Sequence, residues 1–147
     1  VTGAMTDCLQ ALRDDFSVLD DWEDRYRYVI DLGKALPDMD PALKTAATKV
    51  SGCASQVWIH SRPVVRNGAT YLDLVGDSDA LIVKGLIAIA FLIFAPRPVT
   101  EIPGVDAAAI FADLGLREHL TPQRSNGLAS MVARIKADAV RAVPPAE

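Results

Sequence analysis

The sequence predicts an α+β fold, a small antiparallel sheet covered by helices. Three observations carry this. Two strand-like runs, Ser55 to Arg62 and Ala69 to Val75, flank Arg66-Asn67-Gly68, where Asn and Gly tolerate positive φ and close a hairpin. About five further segments carry helical spacing or helix start and stop signals. The most apolar segment, Ala80 to Ala95, contains Lys84 and is too short to span a bilayer. Its composition indicates a helix buried on most sides.

The elements follow in chain order. Thr6 and Asp7 are expected to cap a short helix running to Phe16 or Leu19. Asp20 or Asp21 caps the next, in which Trp22, Tyr26, Val29, Ile30 and Gly33 mark the inward face. Gly33 implies close packing or an approaching helix end, and Leu36-Pro37 stops the helix. A loop from Asp38 to Thr48 leads to the cysteine stretch. After the hairpin, Gly76-Asp77-Ser78-Asp79 is expected to turn the chain and offer oxygens that cap the helix beginning near Ala80. Pro96 and Pro98 end that helix, and Thr100 to Ile102 starts a short helical turn. Asp106 caps a helix to Leu114, closed by Gly115 at C′. Thr121-Pro122 opens the last helix, which runs to Ala142 before Pro144-Pro145.

Composition bounds the function. The chain has 147 residues, half of them hydrophobic, and a formal net charge of -4. That is enough chain for one core, and residues 5–147 read as a single domain. Residues 1–4, ahead of Met5, are set aside as an expression remnant. The negative charge and the mixing of acids and bases argue against a nucleic-acid surface. No basic segment precedes an apolar run at the N-terminus, so no signal peptide and no membrane segment is expected. Two cysteines, Cys8 and Cys53, are too few for a disulfide framework, and a reducing cytoplasmic setting fits.

Cys53 is the candidate for chemistry. Gly52 before it can take positive φ, and Ala54 and Ser55 after it are small; Gln56, Val57 and Trp58 then begin the strand. A thiol on such a loop is open to a partner protein. With apolar Val57 and Trp58 so close, it is expected to rest partly tucked against the hairpin until a partner docks. A free cysteine also serves commonly as a small buried hydrophobe, which would make the chain a plain interaction module with an inert cysteine, and these residues alone leave both open. A zinc site is not expected, because His60 and His119 stand apart and there is no CxxC or HxxxH pair. A phosphate loop is absent. A Cys–His hydrolase or transferase, with Cys53 and either histidine, meets the residue list. The plainer readings are that His119 completes a helix–helix turn and that His60 faces solvent. Asp77 and Asp79 read first as helix caps, and Arg124 as a residue of the turn at its helix start.

Taken together, several phrases resemble one family. They are Trp22…Arg25-Tyr26…Ile30-Asp31-Leu32-Gly33; Val50…Gly52-Cys53…Ser55-Gln56-Val57-Trp58; Gly76-Asp77-Ser78-Asp79-Ala80…Ile82-Val83-Lys84-Gly85-Leu86; and Leu114-Gly115-Leu116…His119-Leu120-Thr121-Pro122…Arg124-Ser125-Asn126-Gly127-Leu128. In their order and spacing they resemble the SufE/CsdE group of sulfur-acceptor proteins in iron–sulfur cluster assembly. The resemblance implies the fold of the U-type iron–sulfur scaffold proteins, without their cluster-ligating cysteines. It implies a SufS-type cysteine desulfurase as donor partner and a SufBCD-type scaffold complex as recipient. Cys53 matches the persulfide-accepting cysteine. Gly52, Ser55, Gln56, Asp77, Ser78, Asp79 and Arg124 stand as supporting or docking residues. Pyridoxal phosphate belongs to the desulfurase, so no cofactor and no metal is expected on this chain, which acts as a relay and activator rather than as the enzyme. The loop Asp38 to Lys49 carries no matching signature, and His60 stands where an apolar residue is expected.

Overall fold

A computed structural model describes residues 2–52 and 55–143, with residues 2–9 and 117 described by their backbone only. The helices are α1 (Thr2–Val18), α2 (Trp22–Lys34), α3 (Leu81–Phe94), α4 (Ala107–Asp113), α5 (Leu116–His119) and α6 (Pro122–Ala142). The strands are β1 (Val57–Arg66) and β2 (Ala69–Ser78), and 3-10 turns lie at Pro41–Leu43 and Ile102–Gly104. The architecture is the α+β arrangement expected, with one two-stranded antiparallel sheet among the described residues.

The organising element is α3. Leu86, Ile87, Ile89, Ala90 and Phe94 are fully buried, because this helix packs against α1, α2, α6 and the sheet at once. Burying each large side chain is worth about 1.5–3 kcal/mol, which makes α3 the main hydrophobic contributor. Against α2 the approach is close enough to require glycine on both sides. A Cβ on Gly33 would stand 2.6 Å from the Gly85 nitrogen, and one on Gly85 would stand 2.1 Å from the Val29 carbonyl oxygen. Both obstacles are backbone, so neither can rotate away.

Most helix signals act as read. Asp21 accepts from the Glu23 N–H, Asp106 from the Ala109 N–H and Thr121 Oγ1 from the Arg124 N–H. Gly115 follows α4 with φ 73°. The first helix differs: it starts at Thr2, so Thr6 and Asp7 lie within it rather than at its cap. The short α5 has no start or stop signal of its own in the sequence.

The hairpin turn has Asn67 at φ 51° and Gly68 at φ 80°, as a tight two-residue reversal requires. The strands run further than predicted. β1 continues through Pro63, which is opposite Leu72, as far as Arg66. A proline is tolerated because each strand of a two-stranded sheet has a free edge. β2 continues through Gly76, Asp77 and Ser78, paired with Ile59, Trp58 and Val57, so these residues end a strand rather than forming the turn. Gly76 is needed there because a Cβ would stand 2.9 Å from Phe91 and 3.0 Å from Ile87 of α3.

Candidate functional site

Cys53 and Ala54 lie outside the described residues, as does the expectation that the thiol is partly sheltered; the chain entering and leaving them is described. On the incoming side, Thr48 to Val50 pair antiparallel with the start of β1. The Val50 N–H donates to the Val57 carbonyl at 2.8 Å, and the Ile59 N–H to the Thr48 carbonyl at 2.9 Å. Gly52 has φ 87°, as its type permits, and a Cβ there would stand 2.6 Å from Ser130 Oγ of α6. On the outgoing side, the Gln56 N–H donates to Asp79 Oδ1 at 3.1 Å, and the Asp79 N–H returns to the Gln56 carbonyl at 3.4 Å. The segment bearing the cysteine is therefore short and tied at both ends.

The acids placed beside it do different work. Asp79 holds Gln56. Ser78 Oγ accepts from the Ala80 N–H at 3.2 Å. Asp77 caps nothing in α3; it pairs with Lys44 Nζ at 2.6 Å and Lys84 Nζ at 3.3 Å and accepts from the Ser78 N–H at 2.8 Å. The N-cap residue of α3 is Ala80, which makes no side-chain cap bond, so capping by the two aspartates is corrected. Partial burial pushes the Asp77 carboxyl upward. Hydrogen bonds from Lys44, the Ser78 N–H and Lys84, with the Lys84 charge, pull it further down, so it sits below the ordinary carboxylate value. Lys44 also stands 5.1 Å over the Trp58 ring, which fastens the 38–49 loop to β1.

Ser55 borders a cavity of about 220 Å³ between α3 and α6, with Val83, Leu86 and Met131 as its apolar wall and Gln123, Arg124 and Thr121 at the start of α6. Neither histidine lines this cavity. The His119 ring stacks on Trp22 at 3.7 Å, and its carbonyl accepts from the Tyr26 hydroxyl, which ties α5 to α2. His60 is half-buried and lines a different cavity with Ser61, Arg134 and Asp138; along β1 it alternates with the buried Val57 and Ile59, on the face away from the core. Among the described residues no group of three His, Cys, Asp or Glu side chains could hold a metal ion, and no helix is long and apolar enough to cross a membrane.

Sequence reasoning missed Arg134, Asp138 and Ser61. Asp138 is buried at 8% exposure and accepts from Ser61 Oγ at 2.7 Å and Arg134 Nε at 3.2 Å. A signal existed: Leu128, Met131, Ile135, Asp138 and Ala142 follow one helical face, which puts an acid on an apolar stripe.

The fold, a helical layer around a central buried helix beside a short antiparallel hairpin, is shared with a solved protein. A hypothetical protein from Thermus thermophilus, determined in solution, superposes with a TM-score of 0.70 over 95% of each chain at 19% identity, which shows a shared fold. The family itself follows from the sequence: residues 10–139 match SufE, an Fe-S metabolism associated domain, and the chain belongs to that family. An uncharacterised SufE-like protein of Rhizobium meliloti is 49% identical over 136 residues, spanning 92% of this chain and 97% of that protein. Another from Rhizobium etli is 51% identical over 131 residues, spanning 89% and 88%.

Proposed function

We propose that this protein accepts sulfur on Cys53 from the persulfide of a SufS-type cysteine desulfurase, stimulates that enzyme by relieving it, and passes the sulfur to a SufBCD-type scaffold. The observation that carries the reading is that the described residues on either side of Cys53 are anchored, Val50 to β1 and Gln56 to Asp79, with Ser55 bordering a cavity. Family membership in iron–sulfur metabolism supports the same chemistry.

The transfer is thiol–disulfide-type exchange. The Cys53 thiolate attacks the outer sulfur of the donor persulfide. The donor's sulfur–sulfur bond breaks, a new one forms on Cys53, and the donor cysteine leaves as thiolate. Electrons and atoms balance with no oxidant or reductant, and this chain needs no cofactor of its own. A single thiol is sufficient because the leaving group is itself a thiolate. The Cys–His hydrolase reading loses support, since His119 is committed to Trp22 and His60 to another cavity.

The test is intact and peptide mass spectrometry after incubation with a desulfurase, cysteine and pyridoxal phosphate. Cys53 gains the mass of one sulfur atom. A thiol that stays unmodified under all such conditions removes this reading.

A further inference from the structure

Arg134, in the middle of α6, reaches across to the chain that enters the cysteine segment. Its Nη2 donates to the Ala47 carbonyl and its Nη1 to the Lys49 carbonyl at 3.5 Å. The other edge of the guanidinium is held by Asp138, whose oxygens accept from Arg134 Nε at 3.2 and 3.3 Å. Asp138 is itself fixed by Ser61 of β1 and by Arg141. One planar cation thus joins α6, β1 and the strand-like stem Thr48 to Val50. The carbonyls it takes flank Thr48, whose own carbonyl accepts from Ile59. The stem is therefore gripped from both of its edges, at residues 47–49, ahead of Cys53 in the chain.

We propose that Arg134 is a positioning residue for sulfur transfer: it sets the place of the stem that leads to Cys53 by holding the Ala47 and Lys49 carbonyls, and it acts through that backbone. This rests on the sulfur-acceptor reading. The physical reason is that exchange at sulfur needs the nucleophile in line with the bond that breaks, and a misplacement near 1 Å can cost about a hundredfold in rate. A guanidinium can serve two carbonyls and a carboxylate in one plane. A lysine ammonium is a single point on a flexible stem and cannot.

The experiment compares the wild type, Arg134→Met and Arg134→Lys with a SufS-type desulfurase, together with amide hydrogen exchange. In Arg134→Met, maximal desulfurase stimulation is expected to fall about tenfold to a hundredfold. The protein concentration giving half of that maximum stays unchanged, because docking is intact. Exchange quickens at the Val50 and Ile59 amides and stays at wild-type rates in α3. Arg134→Lys does not restore stimulation. Wild-type stimulation in either variant overturns the proposal. So does a loss that appears only in the half-maximal concentration, which would make Arg134 a docking contact, or a loss with the stem amides still slow. If Arg134→Met does not fold, Arg134→Lys decides by the same readouts. If the wild type itself takes up no sulfur, the functional reading falls, and unchanged stem exchange in the variants then overturns the clamp separately.

Discussion

The chain reverses direction twice between antiparallel segments, at Asn67-Gly68 and at residues 51–56, and the two reversals are held in opposite ways. At the hairpin tip, two residues with positive φ do the whole job, and a Cβ on Gly68 would meet nothing within 4 Å. Its shape is a local property of Asn and Gly. At the cysteine segment, Gly52 also has positive φ, but it lies against Ser130, while Arg134 holds one stem and Asp79 the other. Those contacts come from α6 and from the junction of β2 with α3. A reversal held locally keeps its shape through distant substitutions. One held by remote side chains can be shifted by them, and that suits the segment proposed to meet a desulfurase.

The largest effect expected is on chemistry. Cys53→Ala should abolish sulfur uptake and desulfurase stimulation while the thermal unfolding curve stays as in the wild type; Cys8→Ser, in α1, should keep both activities. Activity lost in the Cys8 variant and retained in the Cys53 variant would invert the assignment.

Gly52→Ala and Gly68→Ala compare the two reversals directly. Each places an alanine at positive φ, costing about 1–2 kcal/mol in urea unfolding. Gly52→Ala also pushes on Ser130, whose hydroxyl can turn aside. The two variants should therefore differ little in stability and widely in sulfur transfer, which falls only at Gly52. Adding Ser130→Ala to Gly52→Ala should recover part of that loss, as a double-mutant cycle would measure. Equal transfer in the two single variants would erase the distinction between the reversals.

A smaller effect is expected at the outgoing stem. Asp79→Ala removes the acceptor of the Gln56 N–H and should cost about 1 kcal/mol. Exchange of the Gln56 amide should quicken, and the first turn of α3 should not change. Faster exchange at the start of α3 would restore Asp79 as a helix cap.

The smallest effect concerns pH. Asp77 titrates below its ordinary value when folded, so its contribution is present above the unfolded carboxylate pKa of about 3.9 and is lost as pH falls through the depressed folded value. Asp77→Asn should lower stability at neutral pH by about 1 kcal/mol or less, because the ion pairs touch solvent. The gap between variant and wild type should close in acid. A gap that persists unchanged at low pH would mean that the carboxylate charge contributes nothing.

Legibility in the sequence tracks the same division. Asp21, Asp106, Gly115 and Thr121-Pro122 act on neighbours within a few residues, so their roles could be read from type and order alone. Asp77 and Asp79 look like caps for the same local reason. Their actual partners, Lys44, Lys84 and Gln56, are distant in sequence or selected by the fold. The extension of β1 through Pro63 likewise depended on its outer edge being free there, since the stem Thr48 to Val50 pairs only with the start of β1.

From its sequence by itself the chain determined the starts of α2, α4 and α6, the hairpin turn, the burial of α3 and the resemblance that singles out Cys53, because each rests on short-range backbone preference, apolar periodicity or residue order. Tertiary structure alone decided that Gly33 and Gly85 meet and that Arg134 holds the stem before the cysteine. Most of those pairings join residues separated by tens of positions in the chain. Their energy comes from packing and from satisfying buried polar groups, quantities that exist only once the elements are brought together.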